Sequence, residues 1–123
     1  PIDVGDFKHK FEDAWKAVIP GEDGMTLMEM IQGVEEGKIK ALYVCGENPV
    51  FSLPDGDSVR ETLKTLDFLV VQDIFLTETA EIADVVLPVV GWTEKEGTYT
   101  NLERRVQFVR KAVDSSTGLE DWR

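Results

Sequence analysis

The chain has 123 residues, 42% of them hydrophobic, and a net charge of −11. That length supports one domain with a modest core, and that composition is globular rather than disordered. The acidity repels phosphate backbones, which excludes nucleic acid as an expected partner, and no apolar run approaches the roughly 20 residues of a membrane span, so no membrane insertion is expected.

The N-terminus PIDVGDFKHK has no apolar signal core. It opens on Pro1 without a strand or cap and the chain stops at Trp122-Arg123, so residues 1–123 read as a single domain excised from a longer protein. Residues 6–17 carry Phe7, Phe11, Ala14 and Trp15, followed by Val18, at spacings of three and four, which predicts an amphipathic helix with Asp6 as its N-cap. His9, the lone histidine, sits among charges there and reads as solvated. Pro20-Gly21 ends the helix. Thr26 with Glu29 three residues on predicts a capping box for a second helix over residues 27–36, with Leu27, Met30, Ile31 and Val34 as its buried stripe and Gly37 as its left-handed stop.

Residues 41–45 (ALYVC) are continuously apolar, as a parallel strand buried on both faces is. Residues 46–56 read as a loop. A third helix is predicted over residues 59–66, capped by Asp57 or Ser58, and a second buried strand over residues 68–71. Strand, helix and strand in about 30 residues make a right-handed βαβ unit. Thr77 or Thr79 caps a short helix at residues 80–83, and residues 84–88 form a third strand closed by Pro88. Residues 91–100 read as a loop. In residues 101–113, Val106, Phe108 and Ala112 alternate in part, as in an extended strand, while Leu102, Val106 and Val109 fit a helix; the strand is the preferred of the two. These elements predict an α/β domain, a three-layer Rossmann-like arrangement with a mainly parallel sheet.

In such a sheet, ligands bind outside the carboxyl ends of the strands. There the first strand ends in Gly46-Glu47-Asn48-Pro49. A glycine admits close approach, Asn48 offers two donors and an acceptor, and Pro49 holds Asn48 extended. Asn-Pro is equally an ordinary turn initiator. The second strand ends in Gln72-Asp73. A carboxylate there has the acceptors for a forked pair of N–H groups, such as the ring N1–H and exocyclic amine of guanine, and is equally suited to cap a turn. Thr77 and Thr79 read as caps or ligands, Lys95 as a phosphate or carbonyl partner or a solvated charge, and Arg104-Arg105 as phosphate binders or partners of the many carboxylates. One cysteine, Cys45, and one histidine exclude a disulfide within the chain and a zinc site of several such ligands. The unpaired thiol suits a reducing, cytoplasmic setting. No phosphate-cradling glycine motif and no nucleophile with its base is present.

The segments GKIKALYVCGENPVFSLPD, FLVVQDIFLTETAEIADVVLP and TEKEGTYTNLERRVQ, in that order, resemble the molybdopterin oxidoreductase family, and within it the large subunit of formate dehydrogenases. The resemblance implies an internal α/β domain holding part of a molybdopterin guanine dinucleotide, whose molybdenum or tungsten belongs to the full-length parent. It implies cofactor contacts from Gly46, Glu47, Asn48 and Pro49, from Gln72 and Asp73 at the guanosine end, and from Thr77, Lys95 and Asp121. The metal-ligating Cys or selenocysteine, the iron–sulfur cysteines and the catalytic His and Arg of the family lie outside this segment, and Cys45 is not that ligand. The isolated fragment is therefore expected to be non-catalytic and apo. Its expected partners are the remaining domains of the parent subunit and iron–sulfur or NADH-linked electron-transfer subunits. The alternative is a cofactor-free structural or interaction domain of a related respiratory-complex subunit, with Ile74-Phe75-Leu76 as its interface patch.

Overall fold

A computed structural model describes residues 7–115 and 119–122. Asp6, the expected first cap, lies outside them. Helix α1 (Lys8–Trp15) buries none of its residues, and Phe11 stacks obliquely on Trp15 with ring centroids 5.1 Å apart. His9 is exposed, as expected. Helix α2 (Leu27–Glu35) starts at the predicted capping box: the Thr26 hydroxyl accepts from the Glu29 N–H, and the Glu29 carboxylate accepts from the Thr26 N–H. Gly37, with φ +67°, takes the left-handed stop. Of the expected stripe, Ile31 and Val34 are buried, while Leu27 stays exposed.

Strands β1 (Ala41–Cys45), β2 (Phe68–Asp73) and β3 (Val85–Pro88) form a parallel sheet in the order β1-β2-β3. The middle strand therefore pairs on both sides. Its Leu69 and Val71 are buried against Ile31 of α2, Val59 and Leu63 of α4 (Gly56–Leu63), and Ala80. Leu42 and Val44, their register partners on β1, pack beside them. This is the core.

The other face of the sheet presents Tyr43, Phe68, Val85 and Leu87, all exposed. Burial on both faces therefore fails for β1, which alternates, and for β3, which is exposed throughout. The physical reason is that α2 and α4 cover a single face, and even on that face the core stops short of Val86, the β3 partner of Val71. The described residues thus establish a mixed α/β fold with a three-stranded parallel sheet and a separate two-stranded antiparallel sheet.

Several boundaries differ from their predicted places, among them that of β2, which runs on from residue 71 to Asp73. The loop at residues 46–56 contains a short helix, α3 (Pro49–Ser52), with proline at its first position, where its missing N–H costs nothing. Helix α4 begins at Gly56 and ends at Leu63, capped by Asp55 rather than by Asp57 or Ser58. Asp55 adopts the left-handed conformation (φ 55°), and its carboxylate accepts from the Ser58 N–H at 3.4 Å. The chain must turn there because Gly56 passes directly beneath the Val50 carbonyl. Finally, the expected loop at residues 91–100 contains a 3₁₀ turn (Trp92–Glu94) and a strand, β4 (Gly97–Thr100). The expected strand at residues 101–113 narrows to β5 (Val106–Val109), antiparallel to β4. Asn101 shapes their turn by accepting from the N–H groups of Glu103 and Arg105. Arg104 (φ 61°) and Arg105 are exposed on that turn.

A β-carbon added at Gly56 would meet the Val50 oxygen at 2.2 Å. Gly56→Ala is expected to destabilise the protein by ~1–3 kcal/mol, the usual cost of overpacking, read as a lowered urea midpoint with an unchanged slope. Ser58→Ala, at a position that does not carry the cap, should stay within about 0.5 kcal/mol of wild type.

Candidate functional site

The carboxyl ends of β1 and β2 lie side by side, with Cys45 in register with Gln72. Gly46 extends the ladder by one bond, donating its N–H to the Gln72 carbonyl at 2.8 Å. Its φ of +63° favours glycine. A β-carbon at Gly46 would meet nothing within 4 Å, so the space above it is open. Glu47 turns back on its own loop: its carboxylate accepts from the Asn48 N–H at 3.1 Å and from the Ser52 hydroxyl at 2.7 Å.

Asn48 clamps the loop after β1 to the loop after β2. Its side-chain oxygen accepts from the Thr79 N–H (3.3 Å) and the Thr79 hydroxyl (2.7 Å), and its amide donates to Glu78 at 2.7 Å. Thr79, fully buried, also accepts from the Val50 N–H at 3.2 Å. The bond from Asn48, followed by one from Glu78's own N–H, holds the Glu78 carboxyl below the usual carboxylate range. Thr77 caps the 3₁₀ turn Ala80–Ile82 by accepting from the Ala80 N–H at 3.2 Å.

The second strand end is built differently. The Gln72 side chain is buried, at 4% exposure, and both ends of its amide are used. Its oxygen accepts from the Tyr43 hydroxyl, and its nitrogen donates to the Asp121 carbonyl at 2.7 Å. Asp73 caps the turn that follows: one carboxylate oxygen, Oδ1, accepts from the N–H groups of Ile74 (2.7 Å) and Phe75 (3.2 Å), and Oδ2 has no partner among the described residues. Lys95 forms an ion pair with Oδ2 of Asp121. The other oxygen of Asp121, Oδ1, is buried and has no hydrogen-bond partner among the described residues.

Cys45, Gly46, Gln72, Asp73, Lys95 and Asp121 line one cavity of about 210 Å³, together with Ile74 and Val89. The structure thus brings five of the sequence-predicted residues, Gly46, Gln72, Asp73, Lys95 and Asp121, to one place. Glu47, Asn48, Pro49 and Thr77 stand outside its lining and organise the adjoining loops. Two larger clefts, of about 320 and 500 Å³, run along α2 and by the amino end of β1, away from this edge. Sequence reasoning did not single out Tyr43, Glu78 or the buried role of Thr79. The signal for Thr79 was a hydroxyl inside an otherwise charged and apolar stretch. Tyr43 gave none beyond its place two residues before the strand end.

The cavity thus lies at the carboxyl ends of parallel strands, the edge at which open α/β sheets bind their ligands. Residues 11–122 match the molybdopterin oxidoreductase family, and the chain belongs to that family. It is 59% identical over 114 residues to the F420-dependent formate dehydrogenase subunit alpha of Methanocaldococcus jannaschii, a match covering 91% of this chain and 17% of that protein. It is 44% identical over 113 residues to the NADPH-Fe(3+) oxidoreductase subunit alpha of Geobacter sulfurreducens, covering 91% of this chain and 13% of the relative. It is 46% identical over 114 residues to an NADH-quinone oxidoreductase subunit of Rhizobium meliloti, covering 89% of this chain and 13% of that relative. The chain thus spans less than a fifth of the length of these curated relatives. Among the described residues, no helix is long and apolar enough to cross a membrane.

Asn48→Ala removes the acceptor of a buried N–H and hydroxyl, so it is expected to cost ~1–3 kcal/mol by denaturant titration. The bond from Asn48 to Glu78 has its own pH signature. A carboxyl lowered on folding contributes stability above its unfolded pKa and loses it as pH falls through the lowered folded value. The Asn48 side-chain amide resonances should therefore shift below about pH 4.3, the unperturbed glutamate value, and Glu78→Gln should abolish that shift.

Proposed function

We propose that this sheet edge is one wall of a molybdopterin guanine dinucleotide site in a formate dehydrogenase-like oxidoreductase, and that it takes the guanosine end. The observation that carries the proposal is Oδ2 of Asp73, an acceptor with no partner among the described residues, at a cavity that Asp121 also lines. A guanine edge presents a ring N–H beside an exocyclic amine. Such donors match carboxylate acceptors, and bonds to charged groups are the strong ones. The residues present therefore fit the group.

The roles divide accordingly. Asp73 and Asp121 accept from the base. Lys95, already beside Asp121, offers its remaining donors to a phosphate or carbonyl oxygen. Gly46 leaves room for close approach. Glu47, Asn48, Pro49, Gln72 and Thr77 hold the two loops at the spacing the ligand needs. When bound, the cofactor with its molybdenum or tungsten supplies two-electron redox chemistry, and this chain's share is binding and orientation. A cavity of about 210 Å³ falls below the ~300–1,000 Å³ typical of complete ligand sites. The rest of the site belongs to the remaining domains of a longer large subunit, and electron-transfer subunits act beyond them. Those domains also supply the third layer, over the exposed apolar face of Tyr43, Phe68, Val85 and Leu87.

A second reading has its own support. Ile74, Phe75 and Leu76 form an exposed apolar run beside the cavity. A domain that serves only as an interaction module in a larger respiratory assembly would use that run as its contact surface and leave the cavity empty.

GDP separates the two. On titration with GDP, the amide resonances of Gly46, Asp73 and Lys95 should shift together. Asp73→Asn keeps the turn cap, because its side-chain oxygen still accepts from Ile74 and Phe75, but replaces the free acceptor with a donor. It should weaken binding about 10- to 100-fold, the range for a hydrogen bond to a charged group. Unshifted resonances at millimolar GDP would leave the interaction-module reading standing.

A further inference from the structure

We infer that Gln72 is a positioning residue: its buried amide latches the segment Leu119–Trp122 across the sheet edge, so that Asp121 and Lys95 close one side of the cavity. The inference rests on the cofactor-wall reading only for the purpose of the latch, not for its existence.

Three attachments of the segment lie among the described residues. The Val90 N–H donates to the Leu119 carbonyl at 3.1 Å, the Gln72 amide donates to the Asp121 carbonyl at 2.7 Å, and Lys95 pairs with the Asp121 carboxylate. Of these, the bond from Gln72 comes from the most deeply anchored element. Gln72 lies on the middle strand, paired with Cys45 on one side and Leu87 on the other. Its side chain is 4% exposed, so an unpaired amide there would carry a desolvation cost.

The orientation of that amide is determined by its partners. A backbone carbonyl can only accept, so the nitrogen must face Asp121. The oxygen then faces the Tyr43 hydroxyl, which donates to it, with the Cys45 thiol at 3.8 Å on the same oxygen. Glutamate at this position would set a carboxylate against a carbonyl oxygen, and a leucine or methionine would leave the Asp121 carbonyl unheld. Glutamine is the side chain of that length that both accepts from a tyrosine and donates to a carbonyl. With the backbone of Asp121 fixed, its side chain is directed to Lys95 by one oxygen and buried at the cavity by the other.

The test uses Gln72→Met, similar in length and uncharged, and begins without ligand. The Val90 amide reports the attachment of the segment through its bond to Leu119, and the Val71 amide reports the sheet itself. Hydrogen exchange at Val90 should quicken about fivefold or more, the worth of one hydrogen bond, with Val71 unchanged. Unchanged exchange at Val90, or an equal rise at both amides, would overturn the latch, since the second marks a general loss of stability. Tyr43→Phe, which removes the donor to the amide oxygen from an exposed ring, should quicken Val90 selectively to a smaller degree. It decides the matter if Gln72→Met does not fold. The second arm adds GDP. Where the wild type binds it, Gln72→Met and Asp121→Asn should weaken it by similar factors, and the double variant should be no weaker than either. Undiminished binding by Gln72→Met would overturn the positioning role. No binding by the wild type would remove the cofactor-wall reading while the exchange result still decides the latch.

Discussion

The two-sided pairing of β2 is the constraint on which the rest depends. Its register aligns Val71 with Val44 and Val86, and Gln72 with Cys45 and Leu87. A slip of one residue would turn Leu69 and Val71 out of the core and drive Gln72 into it, exchanging a satisfied apolar interior for an unpaired amide. Because the pleat alternates, the same register that buries Val71 places Gln72 on the opposite face, where Tyr43 and Asp121 meet it. Core and site are thus specified by one set of backbone bonds.

From that strand outward, polar side chains are spent mostly on holding backbone. Asn48 uses its oxygen twice and its nitrogen once, Glu47 accepts twice, and Thr77 caps a turn. Loops that must leave the protein's own N–H and C=O groups satisfied have few polar atoms to spare for a ligand. That makes the exceptions informative. Among the described residues, the second oxygen of Asp73, at the cavity, and the buried Oδ1 of Asp121 have no such duty.

Much of this was legible in the residues. The βαβ unit, the capping box at Thr26 and Glu29, the stop at Gly37 and the polar strand ends all follow from local patterns, and the structure bears them out. The family likeness, read from three ordered segments, holds across residues 11–122. The failures share one cause, which is dependence on distant partners. The start of α4 is set by contact between Gly56 and Val50, and the exposure of β1 and β3 by a missing second cover, neither of which local periodicity reports. The strand β4 was hidden because Gly97–Thr100 has a loop-like composition and gains its identity only from pairing with Val106–Val109. Likewise, nothing near Gln72 in sequence shows that Asp121, 49 residues on, meets its amide.

If the cavity is the dinucleotide wall proposed above, charge decides which end of the ligand it suits. The chain carries −11 overall, and the cavity is lined by two carboxylates and one ammonium. A pyrophosphate brought against such a surface meets net repulsion, strengthened wherever water is excluded. A guanine ring is neutral and offers donors, so the same carboxylates attract it. Lys95 stands where the two preferences meet, beside Asp121 at the cavity and with donors left for an oxygen farther along the ligand. On the proposed cofactor-wall reading, the base end therefore falls to this chain and the phosphates to cations outside it. That division of labour agrees with a chain covering less than a fifth of its relatives' length.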